Sequence, residues 1–179
     1  MSPGEPGQRP FLPVNIAVLT VSDTRTPATD KSGDTLVERI QAAGHRIAAR
    51  TIVKDDYVEI VTTLKAWIAD PAIDVVIATG GTGVTGRDVT PDAFEAVFEK
   101  TIPGFGELFR WISFQKIKSS TIQSRATAGV ANGTYLFALP GSPGACRDAW
   151  DEILVHQFDI RTRPCNFVEL MPRLKEHLR

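Results

Sequence analysis

Apolar residues fall into two kinds of stretch that alternate along the chain: short continuous runs, and longer segments with apolar positions every three or four residues. Asn15–Val21 is almost wholly apolar, short, and bounded by Pro13 and by Ser22 and Asp23, so it predicts a buried strand. Residues 33–43 carry Leu36, Val37, Ile40 and Ala43 on one helical face, with Asp30 or Ser32 as the cap and Gly44 as the stop. Residues 45–53 predict a second strand through Ile47, Thr51 and Val53. Tyr57–Ala69 predicts a second helix through Ile60, Val61, Leu64, Trp67 and Ile68, ended by Asp70 and Pro71. Val75, Val76 and Ile77 open a third strand.

The second half keeps the alternation. Pro91 suits a first helical position with Thr90 as its cap, and Ala93, Phe94, Val97 and Phe98 face inward. Pro103 and Gly104 interrupt, and residues 105–116 then carry Leu108, Phe109, Ile112 and Phe114. Residues 126–130 and Thr134–Leu139 flank Asn132 and Gly133, a strong short signal for a β-hairpin. A second small-residue loop, residues 140–144, leads into a helix over 145–156, with Ala149, Ile153 and Phe158 as core candidates. Residues 161–179 give no clear element, and there is no internal repeat. The alternation predicts an α/β fold: a mostly parallel sheet covered by helices on both faces, with a hairpin near the C-terminal end.

Length and composition narrow the class. A chain of 179 residues suits one domain, here 14–179, after a Pro- and Gly-rich stretch at 1–13 that reads as a flexible tail. Hydrophobic and charged fractions of 42% and 23% are those of an ordinary globular protein, which argues against general disorder. A formal net charge of −1 offers no general attraction to DNA, RNA or anionic membranes, so neither nucleic acid nor membrane is expected as a partner. No apolar run approaches bilayer length, and residues 1–13 lack a signal-peptide core. Cys146 and Cys165 make no disulfide framework, which points to the cytoplasm. His45, His156 and His177 are too scattered to suggest a metal site.

The candidate chemistry lies in residues 74–92. A β-branched strand breaks into a loop containing Gly80, Gly81, Gly83 and Gly86, and the segment closes with Asp88, Thr90 and Pro91 at a helix start. Strand, glycine turn and helix start in that order form a cradle for an anion. Residues 81–86 formally fit G-x-G-x-x-G, but they follow the third strand and Arg87, Asp88 and Val89 intervene before the helix, so the dinucleotide fingerprint is disfavoured. Arg87 and Asp88 also stand where a P-loop needs Lys and Ser or Thr. The loop over 140–144 repeats the same logic, with Ser142 as donor or cap. Asp55 or its neighbour Asp56 ends the second strand on the same side of a parallel sheet as the glycine loop. Ser124 and Arg125 are suited to contacting phosphate, and Glu107 and Arg110, three apart on one helix, suit a structural pair.

Four motifs in order resemble the MoaB/Mog molybdenum-cofactor biosynthesis family: Thr79-Gly80-Gly81-Thr82-Gly83 followed by Asp88-Val89-Thr90-Pro91-Asp92-Ala93; Pro103-Gly104-Phe105-Gly106-Glu107 with Arg110; Ser124-Arg125; and Leu139-Pro140-Gly141-Ser142. The resemblance runs over about residues 16–167, and the closing segment 160–167 is more similar to the MoaB branch. It implies a three-layer αβα domain that binds molybdopterin. In active members of the family the adenylyl group of Mg-ATP passes to the terminal phosphate of the pterin, and pyrophosphate leaves. It also implies a homo-oligomer, trimer or hexamer. Carried onto this chain, it makes Asp55 and Asp88 the catalytic carboxylates and Mg²⁺ ligands. Ser22, Thr79, Gly80, Gly81, Thr82, Gly83, Ser124, Arg125, Pro140, Gly141 and Ser142 become the contacts to molybdopterin and ATP. The rival expectations are a non-catalytic molybdopterin-binding scaffold of the MoaB branch and, less favoured by the position of the glycines, a nicotinamide-dependent oxidoreductase.

Overall fold

Residues 9–178 are described by a computed structural model. Six strands form one sheet in the order β2-β1-β3-β6-β5-β4. These are β1 Asn15–Val21, β2 Arg46–Val53, β3 Val75–Thr79, β4 Lys100–Thr101, β5 Thr127–Ala131 and β6 Thr134–Leu139. The first four in spatial order run parallel, while β5 is antiparallel to both β6 and β4. Both faces of β1 and β3 are buried, which explains their unbroken apolar runs. On one face Ile16, Val18, Val75 and Ile77 join Leu36 and Ile40 of helix α1 (Lys31–Ala42) and Phe105 and Phe109 of α4 (Pro103–Ile117). On the other, Ala17, Leu19 and Val76 meet Ile60 and Leu64 of α2 (Tyr57–Ala69) and Phe94 of α3 (Thr90–Glu95). The result is the three-layer αβα arrangement.

Four boundaries move for local reasons. Asp30 caps α1, accepting from the Gly33 N–H at 2.9 Å, so the helix begins at Lys31. Val89, with no side-chain cap, precedes α3, because the Thr90 hydroxyl is turned away to donate to the Gly80 carbonyl at 2.7 Å. Pro103 starts α4 rather than interrupting, since a first-turn position asks nothing of its missing N–H. Ser142 caps α5 (Pro143–Ala149), two residues earlier than the apolar spacing suggested, and the helix widens into a π-type turn at Trp150–Leu154 before α6 (Val155–Gln157). The hairpin sits where Asn132 and Gly133 predicted it, both at positive φ (47° and 80°) as a tight turn requires. Near the C-terminus, Asn166 caps the short α7 (Phe167–Leu170).

Part of the expected tail, residues 1–8, lies outside the described residues. In residues 9–13, Arg9 pairs with Glu169 and the Phe11 ring lies 5.0 Å from His45. Among the described residues no helix is long and apolar enough to cross a membrane.

The topology fixes where a site can form. From β1 the chain crosses through α1 to β2 on one side; from β3 it proceeds to the other side of the sheet. The carboxyl ends of β1 and β3 therefore diverge, and such a switch point leaves a crevice lined by loops.

Candidate functional site

Two recesses open along these strand ends and share Gly81, Asp88 and Gly141 as a common wall. The smaller, about 310 Å³, lies over β1 and β3 and is lined by Ser22, Thr79, Gly80 and Asp55. The larger, about 440 Å³, reaches from Thr82, Gly83, Pro140 and Ser142 to Phe109, Ser113 and Ile117 of α4, with Thr121, Gln123 and Ser124 beyond.

The glycines earn their places sterically. Gly80 has φ of 107°, and a Cβ there would stand 2.1 Å from the Val21 carbonyl oxygen. Gly81 has φ of 67°, and its Cβ would come within 2.4 Å of Thr90 Oγ1 and 3.0 Å of Asp55 Oδ1. Both values lie where only glycine rests without strain, so the loop keeps its bare backbone against the recess. Thr79 is buried and donates to the Pro140 carbonyl at 2.9 Å, while the Cys146 thiol donates to Thr79 Oγ1 at 3.3 Å. These bonds tie the first glycine loop to the second. Burial pushes the Cys146 thiol up to about 11, so it stays protonated and available as the donor to Thr79.

The two carboxylates are each held by one oxygen. Asp55 Oδ2 accepts from the Asp23 N–H at 3.0 Å, and Asp23 Oδ1 accepts in return from the Asp55 N–H at 3.2 Å. Asp23 Oδ2 is paired with Arg87. Asp88 Oδ2 accepts from both the N–H and the hydroxyl of Thr85, at 2.9 and 2.7 Å. Their acidities move in opposite directions. Burial, then the charge of Asp23, raises Asp55. Burial also acts to raise Asp88, but the Thr85 hydroxyl and N–H, the Gly83 N–H and the charge of Arg125 together outweigh it and hold that carboxyl below its usual range. Asp56 is settled as a structural residue: it caps α2, accepting from the Glu59 N–H at 2.9 Å.

Among the described residues no three His, Cys, Asp or Glu side chains are arranged to hold a metal by themselves. Asp55 and Asp88 nonetheless face one recess with oxygen donors only. That donor set fits Mg²⁺, which commonly takes one or two carboxylates and completes its shell with water and substrate phosphate.

All but one of the expected contact residues line a recess; Arg125 lines neither. Its Nε donates to the Gly83 carbonyl at 2.8 Å, Nη2 to the Asp88 carbonyl at 2.6 Å, and its guanidinium forms a pair with Asp92. Arg125 thus clamps the glycine loop from behind. The expected Glu107–Arg110 pair does not form either: Arg110 donates to the Ala126 carbonyl at 2.9 Å. The structure adds residues that spacing did not single out, namely Thr24, Arg25 and Ser32 in the smaller recess and Phe109, Ser113, Thr121 and Gln123 in the larger. The signal for the first group was positional, since residues 22–32 follow β1 at the switch point.

Fold and site together define a class: a doubly wound α/β domain whose glycine loops and carboxylates line two adjoining recesses at a topological switch point. Residues 17–159 match the family described as "Probable molybdopterin binding domain". The chain is 49% identical over 166 residues to Molybdenum cofactor biosynthesis protein B of Escherichia coli K12, covering 93% of this chain and 96% of that protein. A crystal structure of Molybdenum cofactor biosynthesis protein B superposes with a TM-score of 0.80 at 43% identity, over 82% of this chain and 92% of that one. The tungsten cofactor synthesizing protein MoaB from Pyrococcus furiosus gives a TM-score of 0.71 at 34% identity, over 79% and 90%. The chain belongs to the MoaB/Mog family of molybdopterin-binding domains.

Proposed function

We propose that this protein acts in molybdenum cofactor biosynthesis by binding molybdopterin and transferring the adenylyl group of Mg-ATP to the pterin's terminal phosphate, with release of pyrophosphate. The observation that carries this reading is the pair of recesses that meet at Gly81, Asp88 and Gly141, with Asp55 and Asp88 beside the junction. Adenylyl transfer joins two anionic substrates, and the protein's main task is to hold them together and offset their repulsion. The larger recess suits the pterin: Phe109 and Ile117 offer apolar surface to a flat ring, and Ser113, Thr121 and Gln123 offer hydrogen bonds to its heteroatoms. The small residues of the shared wall let both phosphates approach the backbone closely. Asp55 and Asp88 would hold Mg²⁺, which would supply positive charge to offset that of the substrate phosphates. The two free thiols fit a reducing compartment, and we assign the reaction to the cytoplasm. The proposed state is a homo-oligomer, trimer or hexamer.

The test is incubation with molybdopterin, ATP and Mg²⁺, followed by quantification of adenylylated pterin and pyrophosphate. Asp88→Ala is expected to lower pyrophosphate release by about 100-fold or more. Pterin binding and thermal unfolding should stay near the wild-type values. Asp88→Asn keeps an oxygen for the Thr85 bonds, so its loss of turnover would be assigned to the missing charge. Unchanged turnover in both variants would refute the assignment. Pterin binding without any nucleotide product from the unmutated protein would select a non-catalytic scaffold of the MoaB branch.

A further inference from the structure

Most of the arginines around the strand ends are already engaged. Arg50 pairs with Asp30 and Asp34, Arg87 with Asp23, and Arg125 with Asp92 and the glycine loop. Arg25 differs. It is the only Lys, Arg or His side chain lining the smaller recess, and among the described residues it forms no ion pair. Its one side-chain bond is from Nη1 to the Thr29 carbonyl at 3.0 Å, so most of the guanidinium's five N–H donors are free. Its backbone is held in place, because the Arg25 N–H donates to Ser22 Oγ at 3.1 Å in a turn that also takes the Thr24 N–H at 3.2 Å.

The position of Arg25 along the site is directional. It lines the smaller recess and an adjoining groove of about 740 Å³ beside β2, and it does not line the larger recess. Asp88 and Gly81 lie at the wall between the two. In the transfer, a bond forms between a pterin phosphate oxygen and the α-phosphorus of ATP. The bond from that phosphorus to the oxygen bridging to the β-phosphorus breaks, and its electron pair leaves on pyrophosphate. In-line displacement sets the entering and leaving oxygens on opposite sides of the phosphorus. With the pterin in the larger recess, pyrophosphate departs into the smaller one, towards Arg25.

We infer that Arg25 is a catalytic residue that binds the β- and γ-phosphates of ATP and takes up the charge that develops on the departing pyrophosphate. This inference rests on the adenylyl-transfer reading above. A guanidinium suits the role because its planar fork can meet two phosphate oxygens at once, and because it is always charged. The free fork of Arg25 makes it, in place of Arg125, the arginine that contacts phosphate.

The experiment measures Mg-pyrophosphate binding by calorimetry and adenylyl transfer by product formation, in the full chain and in Arg25→Ala, Arg25→Lys and Arg87→Ala. Arg25→Ala is expected to weaken pyrophosphate binding at least tenfold and to lower kcat by about 100-fold, the scale of losing one charged stabiliser. Its affinity for molybdopterin alone should stay within twofold. Arg25→Lys should fall between, keeping charge without the fork. Arg87→Ala should bind pyrophosphate within twofold of the unmutated chain. Pyrophosphate affinity unchanged in Arg25→Ala would overturn the inference, as would absence of pyrophosphate binding by the unmutated chain. Pyrophosphate binding that depends on Arg25, with no nucleotide product from the unmutated chain, would support the anion site and refute adenylyl transfer. Product formation that is indifferent to Arg25 would do the reverse.

Discussion

Asp88 is a loop carboxylate on whose acidity burial acts in one direction and several donors in the other, Thr85 first among them. The Thr85 N–H and hydroxyl both donate to its Oδ2, and burial pulls the other way. A carboxylate proposed to hold Mg²⁺ must stay ionised, and the donors together favour that form against burial. Thr85→Val removes the 2.7 Å hydroxyl bond and leaves the N–H. The pKa of Asp88 should then rise, and an NMR titration of its carboxyl carbon reads that shift directly. Asp55, the other proposed ligand, has the raised pKa and loses its charge first as pH falls, so the acid limb of the kcat/KM profile should stay where Asp55 sets it and activity near neutrality should change little. An Asp88 carboxyl that titrates unchanged in Thr85→Val would refute the role given to the Thr85 hydroxyl. Asp55 and Asp88 were both visible in the sequence, because each sits where an apolar strand or glycine loop gives way to a helix start. Arg25 was not: nothing in the order Ser22-Asp23-Thr24-Arg25 distinguishes it from other loop arginines. Only its lack of an ion-pair partner, a property of the folded neighbourhood, sets it apart.

At the scale of elements, Asp30 joins several parts of the fold at once. It is 1% exposed, caps α1 through the Gly33 N–H, accepts from the Thr20 hydroxyl of β1 at 2.8 Å, and pairs with Arg50 of β2 at 3.0 Å. Removing it takes away a helix cap and leaves buried donors unpaired, so Asp30→Ala should cost about 3 kcal/mol. For a chain of this size that lowers Tm by roughly 6–12 °C. A loss below about 1 kcal/mol would mean that Thr20 and Arg50 find other partners. The strands and long helices were legible because burial imposes its period on the residues: β1 and α2 fall on their sequence-read bounds. The rest depended on contacts that periodicity does not encode. β4 is two exposed residues, Lys100 and Thr101, made into a strand by pairing with Gly129 and Val130. Thr90 was misread as a cap because its hydroxyl has a better-placed partner ten residues back. Ser113 lies on a helix read from its apolar spacing, so its place in the larger recess emerged only when α4 packed beside the second glycine loop.

At the scale of the whole molecule, α4 presents a surface that the chain itself does not cover. Leu108, Trp111, Phe114 and Ile117 recur every three residues and make one exposed ridge, and Ile122 follows at 82% exposure. Trp111 is 65% exposed, which is costly for the largest apolar side chain in solvent. Its opposite helical face carries Phe105 and Phe109 into the core, so the helix is apolar on more of its circumference than one domain can bury. A second copy of the chain is the occupant consistent with the proposed trimer or hexamer, and aromatic residues at the centre of such a contact carry much of its energy. The ridge ends at Ile117, which also lines the larger recess, so assembly and the pterin end of the site would meet there. Trp111→Glu should therefore reduce the mass seen by light scattering towards the 19.5 kDa monomer. Because Trp111 is mostly exposed, its loss should alter the folding of the single chain by no more than about 0.5 kcal/mol. Molybdopterin binding should weaken in the dissociated variant if the neighbouring copy buttresses Ile117. A wild-type chain that is already monomeric, or an assembly indifferent to Trp111→Glu, would refute the use of this ridge.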